Sequence, residues 1–228
     1  MRPALHLLAA AASLVAATAA AQPLPVVSVS APQINCLFTT SSPCSVTVSD
    51  VASPLLGNGF LQSRTFQAQP GSPAAGKWVY EYRLDLRNAT GGTTPQVVVM
   101  TIPFPAAPVH MDFNADGNAN DQVFVVTGGA LGSVSPFSVI LYSDSLIVSF
   151  MPPVTGGQSS YFIGLVSVNP PQDVVARVTT NVAGDVLLKA RAPGAGASIT
   201  SSSAPAARVV PAAPPVRPRP VPPAPARP

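Results

Sequence analysis

The chain is poor in the groups with which most enzymes work. Its 228 residues include one Trp, two Cys and two His, and only 9% are Asp, Glu, Lys or Arg. Glutamate occurs once, as Glu81, and His6 lies in the N-terminal apolar stretch, which leaves His110 as the histidine of the body. A multi-histidine zinc site is therefore excluded, and with the two cysteines paired no standard four-ligand zinc set remains. There is no G-x-S-x-G elbow, and a Ser-His-Asp triad would have to use His110. Gly128-Gly129 and Gly156-Gly157 read as ordinary turns, so a phosphate-cradling loop is missing too. A glycosidase needs two carboxyl groups across a cleft, one with a raised pKa. Glu81 and Asp85 instead alternate with Arg83 and Arg87 along one stretch. Flanking guanidiniums favour the ionised form, the opposite of what a general acid requires. That set is expected to be a solvated cross-strand charge ladder, and the chain is expected not to be an enzyme.

Long apolar runs are also scarce, with one exception at the start. Arg2 supplies a positive charge, residues 5–17 an apolar stretch, and Ala19-Ala20-Ala21 a small-x-small pattern. Together they read as a signal peptide over residues 1–21 with cleavage before Gln22. A membrane anchor would need ~20 apolar residues, so no stable span is expected after cleavage. Cys36, the first cysteine, lies far from the cut and is not placed for N-terminal lipid attachment. The expected location is secreted or periplasmic.

The formal charge of +3 misleads. Arg2, Arg208, Arg217, Arg219 and Arg227 lie outside the body, which keeps seven basic against nine acidic residues. Nucleic acid is thus not an expected partner. Export places Cys36 and Cys44 where disulfides persist, with a turn-like Thr39-Thr40-Ser41-Ser42-Pro43 between them. Closing such a loop stabilises a fold by about 2.5 kcal/mol.

What the chain has in abundance is strand pattern. In residues 77–87, Trp78, Tyr80, Tyr82, Leu84 and Leu86 alternate with Val79, Glu81, Arg83, Asp85 and Arg87, the period of a strand with one apolar face. Residues 96–104 carry a β-branched run, and residues 136–142 and 145–151 flank a tight Ser143-Asp144 turn. Further strands are expected at 26–30, 44–49, 60–68, 160–168, 172–180 and 185–190. Roughly ten short strands without an amphipathic helix predict an all-β, antiparallel sandwich over residues 22–191, jelly-roll or immunoglobulin-like. From residue 192 the composition changes: 11 of the last 37 residues are Pro, ten are Ala and four are Arg. Such a segment has too little apolar area to offset its ordering entropy, so residues 192–228 are expected to be a disordered, polyproline-like tail. It suits a spacer through a cell envelope or a basic arm touching anionic polymer, and equally a solubilising or neutral tail.

One stretch carries metal chemistry. In Asp112-Phe113-Asn114-Ala115-Asp116-Gly117-Asn118-Ala119-Asn120-Asp121, oxygen-bearing side chains recur at alternate positions and Gly117 permits a sharp turn. A hard cation such as Ca²⁺ takes six to eight oxygens, which alternate residues of a tight loop can supply. The stretch resembles the DxDxDG family of calcium loops. Val123 replaces the bidentate acid of the EF-hand form, and the flanks read as strands, so the shorter hairpin form of integrin-type propeller blades is more similar. That resemblance covers ten residues in a single copy and implies a metal loop, not a propeller. It implies Ca²⁺ ligands at Asp112, Asn114, Asp116, the Asn118 carbonyl and the ninth position. The ninth is Asn120 in place of Asp, with Asp121 as the neighbouring carboxylate. The alternative is an Asn/Asp/Gly turn between strands that needs no metal.

These observations predict a secreted, non-enzymatic structural or surface-associated sandwich, calcium-stabilised, with cell-envelope polymer or polysaccharide as its partner. The alternative is a carbohydrate-binding module in which the calcium is structural and exposed aromatics stack on sugar rings.

Overall fold

Alternating β-branched and aromatic residues, cut by Gly-, Pro- and Asn-bearing turns, form twelve strands in the computed structural model, which describes residues 20–90, 95–129 and 132–196. The expected leader, except Ala20 and Ala21, and the expected tail beyond Gly196 lie outside the described residues. The strands begin with β1 (Gln22–Pro23), β2 (Val26–Ser30), β3 (Ser49–Leu55), β4 (Gly59–Gln67), β5 (Trp78–Asp85) and β6 (Gln96–Pro103). They continue with β7 (Val123–Gly128), β8 (Ser138–Tyr142), β9 (Ser145–Thr155), β10 (Phe162–Ser167), β11 (Pro171–Thr180) and β12 (Gly184–Pro193). A 3₁₀ turn, Gln33–Leu37, follows β2.

Two six-stranded sheets result, one in the order β1-β8-β9-β6-β11-β12 and the other β2-β7-β10-β5-β4-β3. Every neighbouring pair is antiparallel except β2–β7, which is parallel. The expected sandwich is therefore realised with one parallel pair at an edge. Leu24-Pro25 carries the chain from one sheet to the other: the Leu24 N–H donates to Val139 O at 2.9 Å, and Pro25 O accepts from Val123 N–H at 3.0 Å.

β5 shows why the sheets close on each other. Its even positions from Tyr80, continued by Leu86, are fully buried between the sheets and join Met100, Ile102, Leu146, Val148 and Leu165 in the main core. A buried phenol needs a partner, and one finds it on the β10–β11 connection, the other on β12 of the facing sheet. The Tyr80 hydroxyl donates to Asn169 O at 2.6 Å and the Tyr82 hydroxyl to Arg191 O at 2.7 Å. The Ser143-Asp144 hairpin forms as expected, with Ser143 in the left-handed region at φ 55°.

Three expectations are corrected. The strand expected at 44–49 instead starts at Ser49, because Cys44 is tied into a loop by its disulfide. Ala192 and Pro193 belong to β12, paired with Gln172 and Pro171, and not to the tail. The third concerns the outward face of β5, expected to be solvated: Glu81, Arg83 and Asp85 are 4%, 5% and 2% exposed. That face is not a surface. Phe66, Val79, Phe124, Val126 and Val166 line its apolar half and are covered by Ile34, Phe38, Met111 and Phe113 in a second core. Gly164 lets the Phe124 ring lie flat on the sheet, since a Cβ there would sit 2.0 Å from the ring. The segments that follow β2 and precede β7 are thus held against the sheet, and they carry the two features of interest, the disulfide and the Asp-rich loop.

Candidate functional site

The loop between β6 and β7 is anchored at both ends. Val109 N–H donates to Val166 O at 2.8 Å, and Met111 and Asp121 exchange backbone hydrogen bonds of 2.9 and 3.0 Å. Met111 and Phe113 point into the second core, where the Phe113 ring meets Phe124 edge-on at 4.9 Å. Alternation then turns Asp112, Asn114 and Asp116 to the other side. Asp112 Oδ1 accepts the Asp116 N–H at 3.0 Å and its Oδ2 the Gly117 N–H at 2.9 Å. Asn114 Oδ1 accepts the same Asp116 N–H at 3.0 Å, and its Nδ2 donates to Asp116 Oδ2 at 3.1 Å. Asp116 Oδ1 accepts the Asn118 N–H at 2.8 Å. That backbone hydrogen bond, with the Asn114 one second, holds the exposed Asp116 carboxyl below the usual carboxylate range.

The left-handed turns at Ala115 (φ 60°) and Gly117 (φ 90°) aim these amides inward. Glycine adopts such a conformation freely, whereas alanine does so at a cost that the four side chain–amide bonds offset.

The structure brings Asp112, Asn114 and Asp116 together, with the Asn118 carbonyl accepting from Asn120 N–H at 2.9 Å. It does not bring Asp121 to them. Asp121 is 3% exposed and accepts the Phe113 N–H at 3.0 Å beneath the loop. The Asn120 carbonyl faces exposed His110, whose Nδ1 lies 3.3 Å away. Among the described residues no three His, Cys, Asp or Glu side chains converge. The donor set therefore fits a hard cation only in part: two carboxylates, one amide and one carbonyl, in a loop already closed by its own amides.

The second cluster was not anticipated as a buried one. On the outward face of β4 and β5, Arg64 lies between Glu81 Oε2, 3.3 Å from its Nη1, and Asp50 Oδ1, 3.4 Å from its Nε. Asp85 holds Arg87 through Nε at 3.0 and 3.1 Å and meets Arg83 Nη2 at 3.4 Å. Phe162 from β10 lies under both Arg64 and Arg83, with guanidinium carbons 4.7 and 4.8 Å from its ring centre. Burial pushes the Glu81 carboxyl up to about 6, against the lowering effect of Arg64 and with a smaller rise from Asp50. Flanking arginines were expected to favour the ionised form, but burial outweighs them and shifts the carboxyl up instead of down. Burial pushes Asp85 up as well, but hydrogen bonds from Arg87 and the Arg83 charge outweigh it and hold the carboxyl low. Register made this cluster, and alternation within β5 could not show that Arg64 and Phe162 would lie on top of it.

Cys36 and Cys44 are joined, with Cα atoms 4.9 Å apart, as expected. The exposed large aromatics among the described residues are Phe137 and Tyr142. They stand at opposite ends of β8, about 17 Å apart at ~3.4 Å per residue, and form no common platform. An open depression of about 430 Å³ runs beside Ser28, Val29 and Ser30 toward Ile34, Leu37 and Phe113. No family model, curated protein or solved structure matches the chain.

Proposed function

We propose that the protein is an exported, non-enzymatic structural module of the cell envelope, a sandwich whose Asp112–Asp116 loop is tightened by Ca²⁺ and whose arginine-bearing tail contacts an anionic envelope polymer. The observation that carries this reading is where the polar chemistry goes. Glu81 and Asp85 face Arg64, Arg83 and Arg87, and Asp112 and Asp116 accept amides of their own loop. These groups brace the fold and do not converge on a cleft. The disulfide supports the extracytoplasmic half of the reading, since such bonds persist in oxidising compartments. Calcium enters through Asp112, Asn114 and Asp116, with Asp121 serving the fold instead. The tail enters through composition alone, as four arginines and no acid among its last 37 residues.

The test is cell fractionation followed by salt elution. The chain should be recovered outside the cytoplasm with Gln22 as its first residue, bound to envelope material and released by raised salt. Changing Arg208, Arg217, Arg219 and Arg227 together to Ser should abolish that binding. Recovery from the cytoplasm with the leader intact, or envelope binding that ignores both salt and the arginines, would sink the proposal.

A further inference from the structure

We infer that β2 is a self-pairing edge, through which two copies of the chain join antiparallel about Ser28. The parallel ladder with β7 fixes which way each backbone group points. Pro25 O accepts from Val123 N–H at 3.0 Å, and Ala31 N–H donates to Gly128 O at 2.9 Å. In a strand the residues bonded to one neighbour alternate with those facing away. Residues 25, 27, 29 and 31 therefore face β7, and the N–H and C=O groups of Val26, Ser28 and Ser30 point out of the sheet. All three residues are exposed, and β2 ends the strand order of its sheet among the described residues.

The other three edges are blunted, as edges normally are. β1 is two residues long and one of them is Pro23. β3 carries Asp50 and Pro54, and its Ser53 hydroxyl donates to Lys189 O at 2.7 Å. The free side of β12 is further occupied by Tyr82 and Ser63: Arg191 O accepts the Tyr82 hydroxyl, and Arg191 N–H donates to Ser63 Oγ at 2.9 Å. β2 alone has no charge and no proline, and among the described residues no side chain is bonded to its outward groups.

The occupant follows from symmetry and charge. Antiparallel pairing about Ser28 sets Ser28 opposite Ser28 and Val26 opposite Ser30 of the second copy. Those are the residues with outward groups, so each such pair exchanges two hydrogen bonds and none of the outward groups is left over. None of the residues lining the depression beside the strand is charged, and its about 430 Å³ leaves room for the incoming backbone. The contact is short, which places it among small interfaces of roughly micromolar affinity.

Sedimentation velocity on the exported chain from about 1 to 100 µM tests the inference, in calcium-free buffer to keep it separate from the loop. The expected result is a monomer that becomes a dimer across that range. Ser28→Pro removes only an outward N–H, twice per dimer, and should weaken association about 100-fold, near tenfold for each bond lost. Val26→Lys, placing a charge on the edge, should do the same and serves if the proline variant does not fold. A monomer throughout, or a dimer that both folded variants leave intact, overturns it.

Discussion

At the scale of single residues, the unusual feature is a carboxylate kept out of water in the middle of a sheet. The Glu81 carboxyl is pushed up to about 6 because burial outweighs the Arg64 cation beside it. The folded value lies above the ordinary 4.5, so the folded state binds this proton more tightly than the unfolded one. Its contribution is present in full below pH 4.5 and is lost as pH rises through about 6. Wild type should therefore lose stability relative to Glu81→Gln between pH 4.5 and 7.5, by about 2 kcal/mol or roughly 5 °C in Tm. Paired thermal melts across that range check it, and a constant difference would show that Glu81 is not perturbed. Asp85 is the opposite case, held low by Arg87 and Arg83. Asp85→Asn leaves the buried Arg83 without that charge and should cost about 3 kcal/mol in urea unfolding at neutral pH. Both groups were visible in the sequence as an alternating charged set. Their burial was not, because it depends on Arg64 from β4 and Phe162 from β10 coming into register with them.

Among the elements, local signals were read well and covering segments poorly. Alternation placed β2, β5, β6, β8 and β11 within a residue or two, and Ser143-Asp144 marked its hairpin, because period and turn chemistry are local. The start of β3 was missed because Cys44 to Val48 has strand composition but is held by the disulfide in the layer over the second core. That layer gives the disulfide its structural role. Changing both Cys36 and Cys44 to Ser should cost about 2.5 kcal/mol, with the loss reproduced in wild type by reductant. Amide exchange should rise first at Phe38 and Thr39, whose N–H groups donate to Asn35 O. Exchange rising equally in both sheets would instead mean that the bridge supports the whole sandwich. Between the sheets the bond to probe is Tyr82 to Arg191 O, which ties β5 to β12. Tyr82→Phe removes that bond, leaving the carbonyl to the Ser63 hydroxyl at 3.4 Å, and should cost about 1 kcal/mol.

For the molecule as a whole, the proposed export would supply the condition that a low-charge calcium loop needs, a millimolar supply of the ion. With two carboxylates, Asp112 and Asp116, the proposed site would bind at about 10⁻⁴ to 10⁻³ M, as low-charge calcium sites do. That Asp112, Asn114 and Asp116 would share one tight turn was legible from their spacing; that Asp121 would turn beneath the loop was not, since its partner is a backbone N–H inside the second core. This division gives a test with two independent arms. In about 10 mM Ca²⁺ the chain should melt roughly 4 °C higher than in chelator, the shift given by about 1.5 kcal/mol of binding. Asp116→Ala should lose that shift. Asp121→Ala should melt lower in both buffers yet keep the shift, because it removes an acceptor for Phe113 and not a ligand. Equal melting of wild type in calcium and chelator would leave the loop as a turn closed by its own amides. A shift lost in Asp121→Ala as well would mean that the carboxylate swings out to the ion, and the ligand set drawn from the geometry would be wrong.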